Sequence, residues 1–236
     1  MKYFFNHWHP EVALRYLPIV EEIKKSGIKN PSVLEVGSGS LGIAPYLDLQ
    51  VTGIDINFSG PQFPLLRQVK GETTSLPFPD NSFDFVILVD VLEHLSSNNR
   101  PKAISETLRC AQKKVFIATP SGEKAFNQDK NLSNYYIKVF GKVFSYFSDH
   151  FKYGLPEKNW VSDKIKIEAR NLGKKVEITT FGNENLALRE FLMWGWITKN
   201  PIVDIIFQKV FLLFIPIFKH MNQKPTYRQI FFVKII

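Results

Sequence analysis

The residues best placed to do chemistry open a strand-to-helix turn. Residues 33–42 read VLEVGSGSLG, which sets Gly37, Gly39 and Gly42 at a G-x-G-x-x-G spacing. Glycine belongs where a chain turns sharply and its backbone must approach a ligand closely. Asp55 closes the next expected strand, Val51–Ile56, where a carboxylate can accept hydrogen bonds from two ribose hydroxyls. Alone, this pattern also suits a dinucleotide. Glu35 argues against that, because it puts a carboxylate at the mouth of the first strand, two residues before Gly37. A pyrophosphate would be repelled there, whereas an ammonium group would be attracted.

The run GETTSLPFPDNSFDFVILVDVLEHL, residues 71–95, adds the second constellation. Across roughly residues 30–120 the motifs VLEVGSG, GIDI, LPFPDNSFDFV, VLEHL and IATP follow one another in order. As an ordered set they resemble class I S-adenosylmethionine-dependent methyltransferases, in particular the small-molecule and lipid methyltransferase group (type 11-like). The resemblance implies S-adenosyl-L-methionine as cofactor and methyl transfer as the activity. It implies that Glu35, Gly37, Ser38 and Gly39 line the methionine end of the cofactor. Asp55 would hold the ribose, Ile56 would flank the adenine, and Glu72 with Thr73 would close over the adenine edge. Val89 and Asp90 would face the methionine side. Glu72 departs from the aspartate more frequent in the family.

Two histidines are candidates for taking a proton from a hydroxyl acceptor, a role that suits a near-neutral imidazole. His94 lies in the VLEHL motif, and His150 lies in SDHFKYGLPEKNW, residues 148–160, downstream of the fifth strand. Each also has a plain structural reading, as a packing residue or a loop hydrogen bond. His7-x-His9 has no acidic or thiol partner at zinc-like spacing, so no metal site is expected from it. The single cysteine, Cys110, falls in an apolar helix pattern and cannot form an internal disulfide, which fits a reducing, cytoplasmic setting. The start, MKYFFNHWHPEV, has no uninterrupted apolar core and no small-residue cleavage site, so no signal peptide is expected.

The net charge of +8 raises the question of polyanionic partners, but the basic residues are spread along the chain without a basic run. After the fourth strand the chain reads Val89, Asp90, Val91, Leu92, where amino-directed DNA enzymes of the family it resembles generally show Asp/Asn-Pro-Pro-aromatic, so the resemblance implies no DNA substrate. An NAD-dependent oxidoreductase fits Glu35 and the LPFPDNSFDFV run poorly. An RNA or protein methyltransferase, or a cofactor-binding module without catalysis, remains an alternative to a small-molecule or lipid-linked acceptor.

The elements that must position these residues follow from periodicity. Helical spacing covers residues 10–26, ending at Gly27. Strands are expected at Ser32–Val36, Val51–Ile56, Arg67–Lys70, Phe83–Val89, Lys114–Ala118, Lys175–Phe181 and Tyr227–Ile235, with helices at Leu41–Leu47 and Pro101–Ala111 between them. This alternation predicts an α/β, Rossmann-like, doubly wound seven-stranded sheet. It is mostly parallel with an antiparallel last strand, has helices on both faces, and lies in a single domain over residues 1–236. Residues 120–160 read as an insertion of short helices and loops, followed by a helix capped by Ser162 or Asp163. Residues 185–220 read as largely helical. Within them Pro201–Phe218 is nearly all apolar, interrupted by Asp204, Gln208, Lys209 and Pro216. Such a helix is buried, dimeric or laid in a membrane interface, and an apolar roof favours a greasy acceptor. The expected location is therefore cytoplasmic, with a peripheral membrane position as the alternative that this segment raises.

Overall fold

The computed structural model describes residues 7–236; residues 1–6, part of the stretch read as lacking a signal peptide, lie outside the described residues. Seven strands form one sheet: β1 (Val33–Val36), β2 (Val51–Asp55), β3 (Leu66–Lys70), β4 (Phe83–Val89), β5 (Ala111–Pro120), β6 (Val176–Asn185) and β7 (Thr226–Ile235). Their order is β3-β2-β1-β4-β5-β7-β6. Every pairing is parallel except those of β7, which runs antiparallel to both β5 and β6. The sheet is the expected Rossmann-like one. Its order reverses direction between β1 and β4, and in such sheets the crevice beyond the carboxyl ends at that switch point receives the ligand.

β4 explains the layering. From Phe85 to Val89 it is wholly apolar, because both faces of the strand are covered there. Phe85, Ile87 and Val89 join one core with α1 (Pro10–Lys25), which contributes Ala13, Tyr16, Ile19, Val20 and Ile23. Val86 and Leu88 join the other core, with Ala103, Ile104 and Leu108 of α3 (Asn99–Cys110) and Val161, Ile165 and Ala169 of α6 (Lys158–Asn171). Cys110 is fully buried in this second core, as expected.

Four elements differ from the sequence reading. The helix expected at Leu41–Leu47 is only the short α2 (Ala44–Leu47), because Gly42 has a left-handed φ of +51°. A side chain at Gly42 would place its Cβ 2.0 Å from a carboxylate oxygen of Glu35. Much of the supposed insertion is one long helix, α4 (Glu123–Phe140), followed by a short one, α5 (Ser148–Tyr153). The buried face of α4 carries Gln128, Asp129 and Ser133 beside Ala125 and Leu132, so its apolar periodicity is masked by buried polar groups. α6 begins at Lys158, ahead of Ser162 and Asp163, and takes no side-chain cap. Finally, the apolar C-terminal stretch is not one helix. It breaks into α8 (Pro201–Gln208), a 3-10 turn (Val210–Phe214) and α9 (Ile215–Phe218), after α7 (Leu186–Trp196).

Candidate functional site

A cleft of about 440 Å³ opens at the carboxyl ends of the central strands. Gly37, Asp55, Ile56, Glu72, Thr73, Asp90 and His94 line it, so the structure brings seven of the sequence-predicted residues to one wall. The loop after β1 is hooked onto β2: the Gly37 and Ser38 amides donate to the Ile54 carbonyl at 2.8 and 3.3 Å. Asp55 then fastens the loop from the other side. Its Oδ2 accepts from the Gly39 amide at 2.8 Å and its Oδ1 from the Asn57 amide at 3.1 Å. Gly37 and Gly39 both have positive φ, and a Cβ on Gly39 would meet nothing within 4 Å. The space is thus open at Gly39, whereas a Cβ on Gly37 would meet Val91 at 2.3 Å. Ile56, 66% exposed, hangs beside it with its aliphatic face uncovered.

The remaining predicted cofactor residues lie away from the wall. Ser38 is buried, with its hydroxyl donating to the Gly39 carbonyl at 3.0 Å. Val89 is also buried, and its side chain packs in the core with α1. Strand alternation turns it from the cleft, so of the pair Val89–Asp90 only Asp90 presents a side chain there. Glu35 is the most deeply buried of the three. It is 1% exposed and lies beneath the loop, where its Oε2 accepts from the Ile43 amide at 2.7 Å. Burial pushes its carboxyl up to about 7, against the Ile43 amide and the Tyr16 hydroxyl, which favour the charged form.

That shift has a stability consequence. The folded chain holds the Glu35 proton to about pH 7, whereas a carboxyl at the ordinary value of 4.5 has lost it. Stability from this group is full below the unfolded value and falls as pH rises through the folded one, by about 3 kcal/mol over the window. Glu35→Gln keeps an acceptor for Ile43 and is expected to flatten that slope. Urea denaturation at pH 5 and pH 8 reads it; parallel losses in wild type and variant would refute the assignment.

Behind the cleft wall lies a buried ionic cluster that sequence reading missed. Asp90 takes a left-handed φ of +50°, uncommon for a residue with a side chain, and turns the chain out of β4. Both its carboxylate oxygens accept from Arg228 Nε, at 2.9 and 2.8 Å. Arg228 also donates to Glu184 at 2.6 Å and to Glu11 at 2.5 Å. Arg15 donates to Glu11 at 3.0 Å and approaches Asp90 at 3.1 Å. Burial pushes the Glu11 carboxyl up, but Arg15 and Arg228 outweigh it and hold the group well below the usual carboxylate range. Burial prevails at Glu184, which is raised to about 7 despite Arg228.

These arginines form the floor of a second cavity of about 360 Å³. Its walls are His9, Val12, Phe144, Tyr146, Met193, Trp196 and Tyr227, from α1, α7, the start of β7 and the segment after α4. Arg189 lies over the Tyr227 ring at 3.3 Å from its centroid. The two adjoin at Asp90, which lines the first cleft, while its guanidinium partners Arg15 and Arg228 line the second cavity.

The two candidate proton acceptors are neighbours, with ring centroids 5.0 Å apart. His94 lies on the cleft wall and pairs with Asp149 at 3.3 Å. Burial lowers its pKa, and His150 lowers it further, against the pull of Asp149. His150 is fully buried and pairs with Asp129 of α4 at 2.8 Å. It therefore does not reach the cleft surface, and Asp149 and His150 bond outward to other elements, not to one another.

Residues 34–119 match the family model described as a methyltransferase domain. Over these residues the chain carries a methyltransferase domain. S-adenosylmethionine is the cofactor that the family implies, and the cleft fits it in donor chemistry. Carboxylates stand at Asp55 and Glu72, an uncovered apolar side chain at Ile56, and open space over Gly39. No curated protein matches the chain. Solved structures match along most of its length. One is described as a putative methyltransferase from an antibiotic biosynthesis pathway of Anabaena variabilis. It is 16% identical, with a TM-score of 0.55, and 92% of this chain and 98% of that one are covered. The magnesium protoporphyrin IX methyltransferase of Synechocystis, with bound SAH, is 11% identical, with a TM-score of 0.51 over 95% and 83% of the two chains. A [4+2]-cyclase is also similar, at 16% identity and a TM-score of 0.54 over 95% and 82%. At these identities the likeness gives the fold, and the cyclase illustrates that the fold does not dictate the reaction.

Proposed function

We propose that this chain transfers the methyl group of S-adenosylmethionine to a hydrophobic small-molecule or lipid-linked acceptor that enters the aromatic cavity. The observation that carries this reading is that a nucleotide-type cleft and an aromatic cavity adjoin at Asp90 and its arginine partners. When bound, the cofactor supplies an electrophilic methyl on a sulfonium. The chain's own residues bind, orient and exclude water. Asp55 and Glu72 offer acceptors to the ribose and adenine ends, Ile56 offers an apolar face, and the Gly37–Gly39 loop allows close backbone approach. Aromatic walls at Phe144, Tyr146, Trp196 and Tyr227 hold an acceptor away from water, and holding donor and acceptor aligned lowers the barrier by several kcal/mol. A cavity of about 360 Å³ suits a small molecule or the tip of a lipid better than a folded RNA or protein surface. Calorimetry with S-adenosylhomocysteine and with NAD tests the cofactor; preference for NAD would sink the proposal.

The acceptor's hydrophobicity has a counterpart on the surface. Ile202, Ile205, Leu213 and Ile217 are 60–68% exposed, and Trp194 and Phe191 of α7 add to the same apolar region. Leu212 and Ile215 face inward and pack in the core that contains α1, while Lys219 pairs with Glu21 at 3.0 Å. The segment thus lies along the protein with an apolar outer face. Lys199 and Lys224 flank it, and the chain carries a net +8, so we assign this face to an anionic membrane surface, where each basic group contributes about 1 kcal/mol. Co-sedimentation with anionic vesicles is expected, weakening with salt and lost in Leu213→Glu/Ile217→Glu. Equal binding by the variant, or none by the wild type, would remove the membrane from the proposal.

A further inference from the structure

Glu93, His94 and His150 converge on one point. One potential ligand atom from each lies within 4.8 Å of the other two. Glu93 and His94 belong to the 3-10 turn after β4, and His150 to α5, which packs against that turn. Glu93 and His150 are fully buried, yet Glu93 Oε1 and His150 Nε2 have no hydrogen-bond partner among the described residues. Buried polar atoms are nearly always satisfied, and each exception costs about 1–3 kcal/mol. Two unpartnered buried atoms within one group of three potential ligands call for a shared partner.

The rest of each side chain is already fixed. The Thr119 hydroxyl donates to Glu93 Oε2 at 3.0 Å. His94 Nδ1 pairs with Asp149 and His150 Nδ1 with Asp129, at 3.3 and 2.8 Å. Asp129 is itself held by Arg189 and the Tyr227 hydroxyl, at 2.9 and 3.1 Å. A carboxylate on Nδ1 keeps the proton there and leaves Nε2 with its lone pair free, which is the usual support of a metal-ligating histidine. Two imidazole nitrogens and one carboxylate oxygen form the donor set of first-row transition metals; magnesium and calcium prefer oxygen donors throughout.

We propose that Glu93, His94 and His150 bind one divalent first-row transition-metal ion. Three protein ligands leave a coordination position open. The site adjoins both compartments, because His94 and Asp149 line the cofactor cleft and the Tyr146 ring, on the wall of the aromatic cavity, contacts both histidines at 5.2 and 5.5 Å. Resting on the methyltransferase reading, the open position takes an oxygen of the acceptor and fixes it at the junction. Metal binding itself does not depend on that reading. Sequence spacing gave no hint of the site, because His150 reaches the motif only through the packing of α5.

The test uses the full chain, without a histidine tag, stripped by chelator. Zinc is titrated by calorimetry and cobalt by visible absorption, with S-adenosylhomocysteine binding measured on the same samples. One ion per chain is expected, with a raised melting temperature. His150→Ala and Glu93→Gln are expected to abolish binding; because both sites are buried, His94→Ala and Asp149→Asn are measured beside them, with circular dichroism as the fold check. Asp149, with a side chain 44% exposed, only orients His94, and Asp149→Asn is expected to weaken the ion about 10-fold to 100-fold. Absence of stoichiometric binding to the wild type, or undiminished binding to folded His94→Ala and Asp149→Asn, overturns the site. Cofactor binding without metal overturns only the metal site; metal binding without cofactor overturns only the methyltransferase proposal.

Discussion

Arg228→Gln is expected to destabilise the fold by about 3–5 kcal/mol, the usual cost of stripping the partner from buried charges. Arg228 is 1% exposed and is bonded to three carboxylates, Asp90, Glu184 and Glu11. Arg15 still faces Glu11 and Asp90 when Arg228 is gone, but Glu184 Oε2 loses its only ion-pair partner among the described residues. Glu184 already has a carboxyl raised to about 7 by burial, with Arg228 the main force in the other direction. Without that guanidinium the folded state takes up a proton more readily than the unfolded one. The loss is therefore smaller at pH 6 and grows as pH rises to 8. Denaturant midpoints at the two pH values measure this. A loss below about 1 kcal/mol at pH 8 would mean that water or rearrangement satisfies the carboxylates, and that the cluster is not the keystone between cleft and cavity.

Asp55→Ala is expected to weaken S-adenosylhomocysteine binding about 100-fold. A hydrogen bond to a charged group contributes about 1.5–3 kcal/mol, and two ribose hydroxyls would lose theirs, where each 1.4 kcal/mol is tenfold in affinity. The structure adds a second route to the same loss, since Asp55 also holds the glycine loop through the Gly39 amide. Asp55→Asn separates the two. Its amide oxygen can still accept from Gly39, but its charge is gone. Equal weakening by Asn and Ala points to the ribose, and recovery with Asn points to the loop. Wild-type affinity in both variants would remove Asp55 from the site.

The sheet was legible because its evidence is local. Phe83–Val89 is apolar at every position that two covered faces require, and Gly37, Gly39 and Gly42 mark the turn by their spacing alone. The same local logic misled at α4. There Gln128 and Asp129 are buried to serve Arg189, Tyr227 and His150, so the helix lacked the apolar stripe that would have announced it. Nor did it show that Glu35 lies beneath the loop, which the backbone hook onto β2 brings about.

By itself, then, the sequence determined the strand order's raw material, the glycine turn, and the carboxylate Asp55 that closes β2 beside it. Each depends on residues within a few positions of one another, and local sterics and side-chain periodicity suffice to specify them. Only the tertiary structure decided the rest. Arg228 meets Asp90, Glu184 and Glu11 across separations of 138, 44 and 217 residues. His150 comes to His94 because α5 docks on the turn after β4. Neither meeting leaves a periodic trace, since a buried polar partnership is set by which elements the sheet topology makes neighbours, and no spacing along the chain encodes that choice.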